Sequence, residues 1–230
     1  MSEITTDRGV LEQVYDDVLH PSFPAAELLT RPDFLDACQR GEYEVIAATG
    51  PDGVRGAIVG QRHGAAVLVS WLAVGARGRG GGVGGGLLDA GVTRWLSQPG
   101  TMVVLAEVER PDVFAPHPVH GDPQRRLAFY ARTAAGVVDI PYFQPAAGAG
   151  LPRVHGLLLT VVGTSAPGAA PRPLTPAEAV AVTGYLHGVM GDDPAGAAII
   201  TAATRPEGMR LLPMADYASV PLSGGLSPRS

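Results

Sequence analysis

Cysteine is almost missing from this sequence: Cys38 stands alone among 230 residues, so no internal disulfide can form and a zinc site built on several cysteines is excluded. A small, partly buried position on a helix is the place expected for it. Charge is sparse too, at 17% against 46% hydrophobic residues, which excludes an extended disordered chain and points to a compact fold. Positive charge shows no excess. The net charge of -5 removes the broad electrostatic footprint of a nucleic-acid binder and leaves room only for a local basic patch around a phosphate. No apolar run approaches the roughly 18 residues needed to cross a bilayer, and the opening stretch from Met1 to Asp7 carries acid where a secretory leader carries base. The expectation is a cytoplasmic protein with neither nucleic acid nor membrane as partner.

What the chain has in plenty is glycine and proline, 31 and 21 residues, and their placement divides it. Val10, Val14, Val18 and Leu19 keep a helical stripe, Pro21 and Pro24 interrupt it, and a second helix is predicted after Pro32 with Phe34, Leu35 and Cys38 on one side. Three β-type runs follow as a meander of hairpins, Tyr43 to Thr49, Val54 to Arg62 and Ala65 to Val74, broken at Gly50-Pro51-Asp52-Gly53 and His63-Gly64.

Beyond Val74 the sequence reads Gly75-Ala76-Arg77-Gly78-Arg79-Gly80-Gly81-Gly82-Val83-Gly84-Gly85-Gly86, then the periodic apolar face of Leu87, Leu88, Val92, Trp95 and Leu96. A phosphate bound at a helix start needs outward N–H groups, help from the helix dipole and no obstructing side chains, which Gly82, Gly84 and their neighbours offer, with Arg77 and Arg79 adding charge. Glycine inside a helix costs about 0.5–1 kcal/mol relative to alanine, so three in the first turn are unfavourable unless close approach compensates. A merely flexible loop in a glycine-rich chain would look similar. A Walker A loop fails, because Gly86-Leu87-Leu88 supplies neither the Lys nor the Ser or Thr it needs. A Rossmann fingerprint is formally present as Gly80-x-Gly82-x-x-Gly85, with Glu107 or Glu109 at a suitable remove for a ribose, and ranks second. Against it stand the strand end at Val74, the two intervening arginines and the preceding meander.

Pro99-Gly100 ends the helix, and Met102 to Glu109 reads as a strand that puts Glu107 and Glu109 on one face. After a loop bearing His117 and His120, Asp122 is a plausible cap for a helix carrying Leu127, Phe129 and Tyr130, and β-type runs return at Val137 to Phe143 and Val154 to Val162. Gly163 to Pro173 reads as a linker, and a helix capped by Thr175 with Glu178 follows. The expected division is therefore 1–164 as the main domain, 165–173 as linker, 174–217 as an extension packed on it, and 218–230 as a loose tail.

The stretch Leu72 to Leu88 resembles the acetyl-CoA motif of the GNAT superfamily of N-acetyltransferases, in which a strand ending in Val is followed by Arg and then Gly-x-Gly-Ile/Val-Gly-x-x-Leu-Leu. Arg79, Gly80, Gly82, Val83, Gly84, Leu87 and Leu88 match it, while the usual Pro is Ala76. A second match, Arg126-Leu127-Ala128-Phe129-Tyr130, resembles the Phe-Tyr pair whose tyrosine often protonates the departing CoA thiolate. Two departures accompany it: the common Asn before the tyrosine is Pro123, and the Leu-Gly-Phe after the pair is Thr133-Ala134-Ala135.

The resemblance implies a GNAT-like α/β fold with a mixed, mainly antiparallel central sheet flanked by helices, covering residues up to about 164 and leaving a C-terminal helical extension. It implies acetyl-CoA or another acyl-CoA as co-substrate, bound by Leu72, Ala73, Val74, Arg77, Arg79, Gly80, Gly81, Gly82, Val83, Gly84 and Gly85, with no metal. The acceptor implied is a primary amine of a small molecule, attacking the thioester directly. The catalytic candidates are Tyr130 as acid and Glu107 or Glu109 as base, Glu107 being preferred because it lies further inside its strand. A backbone N–H near Leu72 to Val74 would polarise the carbonyl. His117 and His120 are weaker candidates for base or substrate contact, and His-x-x-His without a third ligand is a poor metal site. A homodimer is one use for the extension. A degenerate fold that binds CoA or a partner without turnover is the alternative.

Overall fold

The computed structural model describes residues 2–117, 121–133, 135–145, 152–166, 168–224 and 226. Its contacts gather into two compact units, Met1–Arg62 with Leu68–Ser97, and His63–Val67 with Gln98–Ser230.

In the first unit β1 (Ser2–Ile4) pairs antiparallel with β2 (Tyr43–Gly50), and helix α1 (Arg8–Gln13) starts where the Asp7 carboxylate accepts the Val10 N–H at 3.0 Å. The helical path continues as a wider π-type turn over Val14–Leu19. Thr30 caps α2 (Arg31–Gln39), with Pro32 in its first turn, where its missing N–H costs nothing. Then come β2 (Tyr43–Gly50), β3 (Gly53–His63) and β4 (Ala66–Val74), in the spatial order β1-β2-β3-β4. β2 and β3 are antiparallel, with Val45 opposite Val59 and a bulge at Ala48/Thr49. Helix α3 (Val83–Leu96) closes the unit.

The helical stripe read from the sequence meets the sheet in one core of Leu11, Val14, Val18, Phe34, Leu35, Val45, Ala57, Val59 and Trp71. Two aromatic polar tips tie the irregular segment between the helices: Tyr15 donates to the Leu29 carbonyl at 2.8 Å and the Trp71 indole to the Glu27 carbonyl at 3.0 Å.

The second unit holds β5 (Val103–Glu109), α4 (Pro123–Ala131), β6 (Gly136–Val138), the small pair β7 (Phe143–Gln144) and β8 (Val154–His155), β9 (Leu157–Thr164), β10 (Arg172–Pro173), α5 (Pro176–Met190), α6 (Gly196–Ala203) and β11 (Arg210–Leu212). Its strands run β5-β9-β6-β11-β10, each antiparallel to its neighbour. The expected run Val137 to Phe143 is two strands. Asp139 breaks it, because its carboxylate accepts from the Arg210 N–H at 2.6 Å and pairs with the Arg205 guanidinium.

Sequence and structure part company at the C-terminal third. The stretch read as linker contributes β10, and the stretch read as extension contributes β11, whose Leu211 and Leu212 lie opposite Val138 and Val137. A three-residue strand inside a Gly- and Pro-rich region leaves no period-two signature, so it was invisible to pattern. The fold is mixed α/β, with a mostly antiparallel sheet flanked by helices, as the sequence resemblance implied.

Candidate active site

The glycine segment leaves β4 at Val74, where the next amide, Gly75, donates to the Arg55 carbonyl at 3.0 Å. A short 3-10 turn over Ala76–Gly78 follows. At Gly78 the backbone passes so close to β3 that a Cβ would sit 2.3 Å from the Arg55 carbonyl oxygen, so no other residue fits. Gly82 precedes the helix in the left-handed region at φ 71°, with no side-chain cap. The first N–H groups of α3 have no intrahelical acceptors. A Cβ at Gly85 or Gly86 would meet nothing within 4 Å. No protein neighbour requires glycine there; what glycine leaves is room at a positive helix end.

The far end of α3 is anchored by buried Leu87, Leu88 and Trp95, the last donating to the Glu44 carboxylate at 3.1 Å. Leu72 and Val74 are half-buried and Ala73 is buried along β4. The two arginines of the loop differ. Arg77 is held by Asp17 at 2.9 Å, whereas exposed Arg79 makes no ion pair or side-chain hydrogen bond among the described residues. Arg55, unremarked in the sequence, brings its guanidinium under the loop by donating to the Arg77 carbonyl at 3.4 Å.

In the second unit β5 carries both acids on one face, as the period of two required, but their surroundings separate them. Glu109 is paired with Arg126 of α4 at 2.6 Å. Glu107 is half-buried and meets only neutral partners, the hydroxyls of Tyr142 and Tyr185. Burial pushes its carboxyl up to about 7, and the hydrogen bonds from the two tyrosines only partly offset that. Tyr130, on α4, is buried against the edge of Phe129, with ring centroids 5.1 Å apart. Its hydroxyl has no hydrogen-bond partner among the described residues, and burial raises it to about 12, the nearby Arg126 charge pulling the other way.

His117 closes a small loop through backbone hydrogen bonds with Gly121; His120 lies outside the described residues. Pro123 is the first residue of α4, capped by Asp122 through the Gln124 N–H at 2.8 Å. No helix among the described residues is long and apolar enough to cross a membrane. The sequence reading missed Tyr142 and Tyr185. They lie in a turn and on the extension helix, and no spacing rule brings such distant residues to one carboxylate.

No protein-family model and no curated protein sequence matches the chain. Solved structures do. An acetyltransferase assigned to the GNAT family from Bacteroides thetaiotaomicron superposes with a TM-score of 0.54 at 23% identity, covering 72% of this chain and 87% of that one. The ribosomal-protein-S18-alanine N-acetyltransferase from Escherichia coli gives 0.47 at 15% identity over 75% and 99%. The aminoglycoside 6'-N-acetyltransferase from Enterococcus faecium gives 0.49 at 14% over 73% and 98%. The first of these, taken with the sheet and helices described above, shows that the chain has the GNAT fold. That fold, and the antiparallel meander before the glycine loop, overturn the Rossmann reading of Gly80-x-Gly82-x-x-Gly85.

Proposed function

We propose that the protein is an acyl-CoA-dependent N-acyltransferase that moves the acetyl group of acetyl-CoA to a primary amine of a small molecule by direct attack. The observation that carries this reading is the pairing of Arg79, without a partner among the described residues, with an uncapped, glycine-opened helix start, in the register that GNAT proteins use for the CoA pyrophosphate. Gly80 to Gly85 give backbone N–H groups to the phosphates and Arg79 supplies the neutralising charge. The backbone at Leu72 to Val74 faces the pantetheine arm and thioester.

In the chemical step the amine nitrogen forms a bond to the thioester carbon and becomes strongly acidic as it does so. Glu107 takes its proton. A carboxyl near 7 is half ionised at neutral pH and regains its proton readily, which suits a general base. The C–S bond then breaks. Tyr130 donates a hydrogen bond to the departing sulfur, and at about 12 it holds its own proton more tightly than a thiol does. The thiolate is protonated from solvent.

The experiment is to mix the protein with acetyl-CoA and a panel of amines and follow free thiol. Amine-dependent thiol release is expected, and its absence across amines and acyl-CoAs would overturn the enzymatic reading. Pro123 in place of the usual Asn, with Thr133 and Ala135 in place of Leu and Phe, favours a second reading, a CoA-binding module without turnover. Calorimetric binding of CoA with no thiol release would select it.

A further inference from the structure

Tyr142 and Tyr185 reach Glu107 from opposite directions in the chain. Tyr142 sits in the turn after β6, its N–H bonded to the Ile140 carbonyl at 2.8 Å, and Tyr185 sits in the middle of α5. Each ring is 1% exposed. The Tyr142 hydroxyl donates to Glu107 Oε1, and the two phenol oxygens lie 2.9 Å apart. A phenol has a single hydrogen. Tyr142 gives its hydrogen to the carboxylate, and the Tyr185 hydroxyl lies within hydrogen-bonding reach of both that carboxylate and the Tyr142 oxygen. Both phenols are therefore gathered on the carboxylate of β5, one from the turn and one from α5.

The remaining ionisable groups around these phenols are few. Glu109, two residues along the same strand, is neutralised by Arg126 of α4. The strand beside β5 presents Leu157 and Leu159 in register with Glu109 and Glu107. The ring of His63 meets the Tyr185 ring edge-on at 5.2 Å, and burial lowers the pKa of its imidazole. No cation touches Glu107 among the described residues.

We propose that Tyr142 and Tyr185 are positioning residues for the base. Tyr142 and Tyr185 together aim the Glu107 carboxylate and stabilise its ionised form, so that the C-terminal helix is a working part of the catalytic centre. The inference rests on the reading of Glu107 as base. A pair of tyrosines that merely filled the core would be replaceable by phenylalanine, which keeps the ring and deletes only the hydroxyl. Donation to a charged acceptor is a strong hydrogen bond, so its loss should be felt in the ionisation of the acceptor.

The test reads that ionisation directly. In the full chain labelled with 13C at glutamate carboxyls, the Glu107 signal is identified by its disappearance in Glu107→Gln and titrated without substrate. Tyr142→Phe should raise its midpoint by about one pH unit, a tenfold change. Tyr185→Phe should raise it by less, and the double variant should raise it further than either change alone. An unmoved midpoint in Tyr185→Phe with the fold retained overturns the proposal, and that variant decides alone if Tyr142→Phe does not fold. In turnover, the acid limb of kcat/KM should follow the carboxyl midpoint while KM for acetyl-CoA holds. If Glu107→Gln transfers acyl groups at the wild-type rate, the base assignment fails, not the tyrosine geometry. If Glu107→Gln is inactive while both phenylalanine variants keep the wild-type midpoint and acid limb, the positioning proposal fails by itself.

Discussion

Two glutamates of the second unit are both pushed upward by burial and end in opposite states. Burial pushes Glu178 up, but hydrogen bonds from Arg172, Thr164 and Thr175 outweigh it and hold the carboxyl at about 2. The Arg172 guanidinium grips both oxygens at 2.6 and 2.7 Å, the Thr164 hydroxyl adds a bond at 2.6 Å, and the Thr175 N–H completes the capping box at 2.8 Å. Glu107 has two phenols and no cation among the described residues, and stays near 7. A carboxylate surrounded by donors and a positive charge is finished chemically and serves as a rivet between β9, β10 and α5. One left with neutral partners is still able to exchange a proton at neutral pH. The arginines of the glycine segment repeat the contrast, Arg77 being committed to Asp17 and Arg79 to nothing among the described residues.

The sharpest way to break this comparison is Glu107→Gln. Amine-dependent thiol release should fall at least ~100-fold, the usual cost of losing a general base, and an unchanged rate would make Glu107 as inert as Glu178. The same variant tests linkage. Because folding raises this carboxyl from 4.5 to about 7, the native state holds a proton that the unfolded chain gives up, so wild-type stability falls as pH rises across that window. The loss is on the order of 3 kcal/mol by the size of the shift. Urea unfolding of Glu107→Gln should lack that decline.

Next in size is Arg172→Ala, which leaves Glu178 buried without its cation. Since Arg172 is itself 13% exposed, the loss should fall at the low end for a broken buried pair, about 3 kcal/mol at pH 7. The sign with pH is the reverse of that for Glu107: the Glu178 contribution is present above the unfolded value of 4.5 and is lost as pH falls toward about 2. Urea midpoints that do not change between wild type and Arg172→Ala would mean that the network carries no stability.

Smaller effects belong to the loop. Arg79→Ala should weaken CoA binding about tenfold through a lost charge-assisted phosphate contact, and Arg77→Ala by no more than about fivefold, since an exposed pair is worth ~1 kcal/mol or less. Equal losses in calorimetry would erase the distinction between held and available arginine, and no loss in either would remove the phosphate from the loop.

Much of this was open to reading because it is local. The hairpin meander was visible in alternation broken by Gly-Pro and His-Gly; the caps Asp122 and Thr175 stand one residue before the helices they start; and the loop from Val74 to Leu88 declares itself through glycine where a helix should be disfavoured. Glu107 and Glu109 share a face by simple period. Their difference was not legible, because it depends on which partners reach each of them: an arginine from α4 for one, two phenols for the other.

The sequence by itself thus determined the order of strands and helices from α1 to β5, the place of the glycine loop and the candidate acids, since each follows from interactions between residues a few positions apart. Only the tertiary structure decided which acid is left without a cation and which arginine without a partner among the described residues, and that β10, β11 and Tyr185 belong to the same unit as β5. Those outcomes join residues separated by 35 and 43 positions in the case of Glu107, Tyr142 and Tyr185. Contacts of that range are selected by sheet register and core packing, which no local pattern encodes.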